Sequence, residues 1–324
     1  MRFFIILILI FSVVGFIGCR PRNQTDGENI TEVERSVDVE TIDEETAENL
    51  LPAIEATPVT DFEWVEYAGT IAIARYNGTG GAVVIPSEIN GVAVTTIGDW
   101  AFDRKQLTSI TIPDSVTTIG QRAFSMNQLE NVTIGNSVTT IESRAFFDNQ
   151  LTRVTIPNSV TTIQVGAFMG NPLNNITIAS GNTAYITRDS FLLSYDQSQL
   201  ILFFGNERNV TIPDSVSRIG TWAFAEKQLE SAIIPNSVTF IDSWAFEDNQ
   251  LTSITIPNSV TGFGGQVFDG NPLTSVTIGA NVKLVIGVWS APFGNGFEEA
   301  YNNGGRQAGT YTRENTTSTV WTRQ

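Results

Sequence analysis

Cassettes of eighteen residues recur along this chain at a fixed offset: LTSITIPDSVTTIGQRAF (Leu107 to Phe124), LENVTIGNSVTTIESRAF (Leu129 to Phe146) and LTRVTIPNSVTTIQVGAF (Leu151 to Phe168). The cassette returns as LESAIIPNSVTFIDSWAF (Leu229 to Phe246) and LTSITIPNSVTGFGGQVF (Leu251 to Phe268). The step is 22 residues from Leu107 through Leu129 and Leu151 to Leu173, and again from Leu229 through Leu251 to Leu273. A period between 20 and 50 residues marks a solenoid or an array, in which each unit contacts only its neighbours.

The cassette states how one turn is built. Leu107, Ile110 and Ile112 open it, and the Ile-Thr-Ile alternation is that of a strand with one buried face. Proline then ends the strand at Pro113, Pro157, Pro213, Pro235 and Pro257, because it has no N–H to give to a ladder. Asp114, Asn158, Asp214, Asn236 and Asn258 follow, residue types that hydrogen-bond locally in turns. A second apolar group closes the copy, as at Val116, Ile119, Ala123 and Phe124. One such unit has too little apolar surface to offset the ordering of its backbone, so stability must come from stacking coil on coil.

Two repeated positions carry that expectation further. Asn127, Asn149, Asn171, Asn249 and Asn271 each lie two residues before the strand Leu. They suit either a ladder of buried amides that satisfies backbone groups of adjacent coils, or simply a turn. Phe102, Phe124, Phe146, Phe168, Phe191, Phe224, Phe246 and Phe268 are expected to stack as an aromatic spine.

The consensus L-x-x-I-T-I-P-x-S-V-T-x-I-G-x-x-A-F resembles the BspA-like, or Treponema-type, leucine-rich repeat family over residues 67–324. The lead-in from Gly69 to Phe102 and the tail from Gly296 to Arg323 are similar to that family's opening and closing segments. The expected fold is a β-rich solenoid, a leucine-rich-repeat superhelix of 22-residue coils with a parallel sheet on one face. Between Phe191 and Phe224 the spacing stretches to 33 residues. Ser190 to Phe204 there spells two short strands around Asp196 to Gln199, expected as a hairpin protruding from one coil. Gly262 and Phe263 break the pattern near a capping end.

The front of the chain differs in kind. An apolar run from Phe3 to Ile17 is shorter than the span of about 20 residues that crosses a bilayer, and fits the core of a signal peptide. It ends at Gly18-Cys19, and Cys19 is the sole cysteine. This looks like a bacterial lipobox, in which the thiol is lipidated and cleavage falls just before it; ordinary secretion with an incidental cysteine is the plainer alternative. From Asp26 to Glu55 there are eleven acidic residues against one basic, a net of −10 out of the chain's −16. Such a segment buries little and repels itself, so it is expected as a disordered tether. The boundaries implied are 1–18 for the signal segment, 19–62 for the tether, 63–98 for an N-terminal lead-in and cap, 99–282 for the solenoid with its hairpin insertion at about 190–208, and 283–324 for a C-terminal cap.

Little in the composition points to catalysis. The chain has no histidine, which removes the commonest general base and zinc ligand, and its lone Cys19 is assigned to the lipid. No phosphate-binding glycine loop is present, no cofactor or metal is implied, and Asp114, Asp148, Asp214 and Asp248 recur at turn positions set by the repeat. Glu298 and Glu299 are expected on the solvated face of a short helix. An acidic balance opposes nucleic-acid binding. The chain is therefore not expected to be an enzyme.

What remains is surface. The outward strand positions are Thr111, Thr133, Thr155, Thr177, Thr211, Thr255 and Thr277, with Ile233 as the apolar exception and Arg153 as the charged one beside them. Stacked at ~4.8 Å per coil, about nine coils would give one hydroxyl-rich sheet some ~40 Å long. The expected partners are proteins, with contact to the membrane through the lipid on Cys19 and none with nucleic acid. The family resemblance implies a surface-displayed module that adheres to host matrix proteins, host cells or other bacteria; a periplasmic scaffold lipoprotein that binds envelope proteins is the alternative.

Overall fold

The computed structural model describes residues 56–280, 282–284, 291–293 and 296–324. The apolar leader, Cys19 and the whole acidic segment from Asp26 to Glu55 lie outside these residues. The repeats wind as a solenoid of 22-residue coils. The alternating Ile and Thr of each cassette form parallel strands such as Leu107–Thr111, Arg153–Ile156 and Ser253–Ile256, and Ile110, Val154 and Ile254 face the core. Among the described residues no helix is long and apolar enough to cross a membrane.

Each coil carries a second, much shorter strand. Thr118–Ile119, Thr140–Ile141 and Thr162–Ile163 pair in parallel with one another and with Val92–Ile97. Past the insertion, Arg218–Ile219, Phe240–Ile241 and Gly262–Phe263 continue the pattern. The Thr before each pair adds a rung of its own: Thr117 and Thr139 Oγ1 donate to the carbonyls of Thr95 and Thr117, both at 3.2 Å. The S-V-T-T stretch thus builds a hydroxyl ladder along a ribbon that a two-residue strand could not announce by periodicity.

The first ribbon is not the single sheet expected from the sequence. Its strands fall into groups: Gly81–Val84 with Leu107–Thr111 and Asn131–Thr133, Arg153–Ile156 with Asn175–Ile178, Asn209–Thr211 with Ser231–Ile233, and Ser253–Ile256 with Ser275–Ile278. Two of the breaks follow copies in which Leu-Glu replaces Leu-Thr, at Leu129-Glu130 and Leu229-Glu230, where the strand shortens to three residues. The third is made by the insertion.

That insertion is a three-stranded antiparallel meander, Tyr185–Arg188, Phe191–Ser194 and Gln199–Phe203. It does not protrude. Leu192, Leu193, Leu200 and Phe203 are buried, and Gln199–Phe203 pairs in parallel with Arg218–Ile219, so the meander's last strand starts the next run of coils. The core accordingly divides into two clusters, with Leu192 and Phe204 in the first and Phe191, Leu193, Leu200 and Phe203 in the second.

The aromatic spine divides at the same place. Phe102, Phe124, Phe146 and Phe168 stack at centroid distances of 4.9, 5.3 and 5.4 Å. A second run, Phe203, Phe224, Phe246, Phe268 and Phe293, stacks at 5.4, 4.9, 5.2 and 4.9 Å. Phe191, expected as a spine member, instead meets Phe224 edge-on at 6.2 Å, because the turn of the meander hands the spine position to Phe203. The asparagines form the amide ladder rather than turn decorations. Asn149 Nδ2 donates to the Phe124 and Phe146 carbonyls at 2.9 and 3.1 Å while its Oδ1 accepts from Leu129 N–H at 3.1 Å.

Antiparallel strands close both ends of the solenoid, where a parallel ribbon would leave an open edge. Phe62–Tyr67 pairs with Thr70–Tyr76 at the front. At the back, Gly309–Thr312 lies against Ser275–Ile278 and pairs with Thr322–Arg323. The one α-helix among the described residues, Phe297–Asn303, buries Phe297 and Tyr301 against this end. Glu298, expected on a solvated face, is buried there and accepts a bond from Phe293 N–H at 2.6 Å, so it ties the cap together.

Candidate protein-interaction faces

Strand register decides which of the outward residues stand side by side. Parallel pairing sets Thr111 beside Thr133, Arg153 beside Asn175, Thr155 beside Thr177, Thr211 beside Ile233, and Thr255 beside Thr277. Thr133, Thr155, Thr177, Thr211 and Thr255 are exposed, as is Arg153. Ile233 is 62% exposed, an apolar side chain left in water on a polar strip. Thr111 and Thr277 are half-buried, and Thr277 Oγ1 shares a 2.9 Å bond with Thr310 Oγ1 of the capping strand. The broken ribbon thus gathers these residues in pairs rather than along one uninterrupted face. The remaining polar side chains partly satisfy each other, as in Ser231 Oγ to Asn209 Oδ1 at 2.6 Å.

A second row was missed by sequence reasoning. Trp100, Arg122, Arg144, Trp222, Trp244 and Gln266 each stand two residues before a spine Phe. All have φ between 53° and 58°, a left-handed turn conformation shared along one edge of the coils, where Trp100 is exposed and the other five are half-buried. The signal was present as a large residue before every Ala-Phe or Val-Phe pair but Ala167-Phe168, which Gly166 precedes, and it was hidden because that position varies while its neighbours repeat.

Along this edge the side chains interact with one another. The Trp222 and Trp244 rings stack at 5.2 Å, and the Arg144 guanidinium lies 4.4 Å from the Trp222 centroid. Trp222 Nε1 donates to Glu247 at 3.2 Å and Trp244 Nε1 to Gln266 at 3.1 Å. Farther along, Arg218 lies 4.7 Å from the Phe240 ring and is clamped by both Asp242 oxygens at 2.6 Å. Burial, reinforced by neighbouring Arg122, holds Arg144 below its ordinary value; burial followed by Asp248 pushes the Glu247 carboxyl up, against the Trp222 bond. Among the described residues no three His, Cys, Asp or Glu side chains are grouped to hold a metal ion. Both surfaces are chemically suited to contact with another macromolecule.

A family model described as a BspA type leucine rich repeat region matches residues 84–197 and 203–287, in six copies. The chain belongs to the BspA-type leucine-rich repeat family. The two matched stretches meet within the meander, where the repeat is interrupted. A leucine-rich repeat protein from Eubacterium ventriosum has a similar solved structure: 24% identity, a TM-score of 0.56, and coverage of 67% of this chain and 69% of that one. The pneumococcal vaccine antigen PcpA is similar at 21% identity, with a TM-score of 0.54 over 72% of this chain and 83% of its own. These likenesses show the fold. No curated protein matches the sequence. Repeat families of this kind are typically non-enzymatic scaffolds for protein binding, and membership points to a protein–protein interaction module.

Proposed function

We propose that the chain is a lipid-anchored, surface-displayed protein-binding module that adheres to host matrix proteins, host cells or other bacteria through its first ribbon. The observation that carries this reading is the exposed strip itself. Register places Arg153 beside Asn175 and the solvent-exposed Ile233 beside Thr211, each on strands braced from behind by one of the two apolar cores. A rigid, mostly neutral face with one cation and one apolar anchor is suited to a protein partner and poor for nucleic acid. Anchoring rests on the apolar run to Ile17 and on Cys19 behind it. The acidic segment that follows would hold the solenoid away from the bilayer.

Binding of the full chain to immobilised matrix proteins tests the face. Replacing Arg153 and Ile233 by Ala, with Thr155 and Thr211, is expected to weaken it by tenfold or more; unchanged binding overturns the site. Radiolabelled palmitate should enter the protein in bacteria and be lost in Cys19→Ala. Protease applied to intact cells should remove the solenoid. Its survival while other surface proteins disappear would refute display and favour the inward-facing scaffold.

A further inference from the structure

Backbone bonds close the Ala-Phe strip between successive coils. Phe102, Phe124 and Phe146 N–H donate to the carbonyls of Ala123, Ala145 and Ala167 at 2.7, 2.8 and 2.8 Å. Phe224 and Phe246 donate to Ala245 and Val267, both at 2.8 Å. The residues two positions either side of these Phe donate in the same way, as Arg144 does to Val165 and Asp148 to Met169. The coil that ends in Phe168 departs from this rule. The N–H groups of Gly166, Phe168 and Gly170 meet no acceptor among the described residues, although Phe168 is only 3% exposed. An unmet buried amide costs about 1–3 kcal/mol.

The meander is the cause. It diverts the chain after the fourth coil, and Phe203 N–H gives its bond to Ala223 in the coil beyond. Two adjoining cavities of about 290 and 270 Å³ open along the unmet row, and Phe168, Met169, Leu202 and Trp222 line both. Gly166 is the single glycine in the row of long side chains described above. A Cβ there would lie 3.0 Å from Trp222 Cε3, so its absence lets Trp222 lie across the seam and reach Arg144.

The chain also contains a filled counterpart of this seam. Both runs of coils end in Phe-x-Gly-Asn-Pro-Leu, at Phe168 to Leu173 and at Phe268 to Leu273. At the second end, Ala291 and Pro292 supply carbonyls to the N–H groups of Gln266 and Phe268 at 3.0 and 2.8 Å, and Phe293 stacks on Phe268 at 4.9 Å. Gln266 and Phe268 are the positional equivalents of Gly166 and Phe168.

We propose that the seam is a docking slot for an extended peptide segment of a partner protein with that same apolar–proline–aromatic chemistry. Its carbonyls would accept from Gly166, Phe168 and Gly170, and its aromatic side chain would enter the cavity beside Trp222. This is strand addition to an unfinished ladder, in which main-chain bonds give affinity and the cavity selects the side chain. The site is separate from the first ribbon and stands whether or not that ribbon binds.

The probe is acetyl-Ser-Ala-Pro-Phe-Gly-amide, the sequence of residues 290–294, titrated into the full ¹⁵N-labelled chain. Saturation should slow hydrogen exchange at the Gly166, Phe168 and Gly170 amides by on the order of tenfold or more, with Phe146 unchanged as a control for the fold. Replacing the probe's Phe by Ala, or the exposed Val165 at the cavity mouth by Glu, should each weaken binding about tenfold, while Thr155→Arg on the ribbon leaves it unaltered. Saturable binding that leaves the three amides exchanging as before, or no saturable binding at millimolar probe, overturns the proposal.

Discussion

Asn249→Ala is the sharpest test of how this solenoid holds together. The Asn249 side chain has no exposed surface. Its Oδ1 accepts from the N–H groups of Lys227 and Leu229 at 3.1 and 2.9 Å, and its Nδ2 donates to the carbonyls of Phe224, Phe246 and Glu247 at 2.8, 2.9 and 3.1 Å. Two of these partners, Leu229 N–H and Phe224 C=O, are in the preceding coil and buried. Alanine would orphan both amide donors and remove one bond from each carbonyl. With each orphaned donor costing about 1–3 kcal/mol and the carbonyls keeping a second lone pair, the loss should be about 3–5 kcal/mol. For a domain of this size that corresponds to roughly 6–10 °C in melting temperature, at about 2 °C per kcal/mol. Because a stack couples only nearest neighbours, exchange should accelerate first in the coils on either side of residue 249 and less at Phe124. Asn136→Ala, at an exposed turn bonded to Asp114, should cost within about 0.5 kcal/mol. An Asn249→Ala protein that melts with the wild type, or loosens evenly along its length, would refute the ladder as a coil-to-coil tie.

Other changes test neighbouring parts of the argument. Phe146→Ala removes a fully buried ring stacked between Phe124 and Phe168, and should lower stability in urea by about 3–5 kcal/mol; a loss below 1 kcal/mol would show the spine to be ornamental. Arg144→Ala should cost about 0.5–2 kcal/mol and free the Trp222 ring, seen as line broadening or a shift of its indole N–H resonance. Lys227 lines the seam, and burial holds its ammonium below the ordinary value, with Glu226 partly opposing. The charged form is thus penalised in the fold below its folded pKa, and stability recovers as pH rises from there toward the unfolded pKa. Lys227→Met should therefore stabilise the protein most near neutral pH, with a gain that shrinks toward about pH 10; urea midpoints showing an equal or growing gain would contradict this.

The repeat itself was legible because nearly every consensus residue has one physical task in every coil. Ile110 and Ile112 face the core, Pro113 ends the strand, Asn127 bonds across coils, and Phe124 stacks. What stayed hidden has physical reasons. Two-residue strands such as Thr140–Ile141 are too short to show a period. The meander places Leu192 and Leu193, adjacent in sequence, in different cores, a consequence of pairing that no local pattern contains. The edge row of Trp222, Trp244 and Arg144 occupies a position the repeat leaves free, so averaging over copies erases it. The outward threonines fall on strands, but the breaks between strand groups follow the shortened Leu-Glu copies and the insertion, which the Thr row itself does not show.

Departures from the consensus therefore say more about binding than the consensus does. The ladder position three residues after a spine Phe is Asn in the coils of Phe124, Phe146, Phe168, Phe246 and Phe268, but Lys in those of Phe102 and Phe224. An Asn there works by reaching back, as Asn127 Nδ2 reaches the Phe102 carbonyl at 2.8 Å. In Lys105 and Lys227 only the backbone N–H is tied, and it is tied forward, to the Oδ1 of Asn127 and Asn249. Lys105 and Lys227 thus each stand in the coil just before a run of Asn ladder positions, and Gly-Asn-Pro-Leu marks the coil with which each run ends. Together these marks bracket the two amide ladders, Asn127 to Asn171 and Asn249 to Asn271. The first stack's end, with Gly166 where a long side chain stands in the other coils, is where the ladder is left open to a partner.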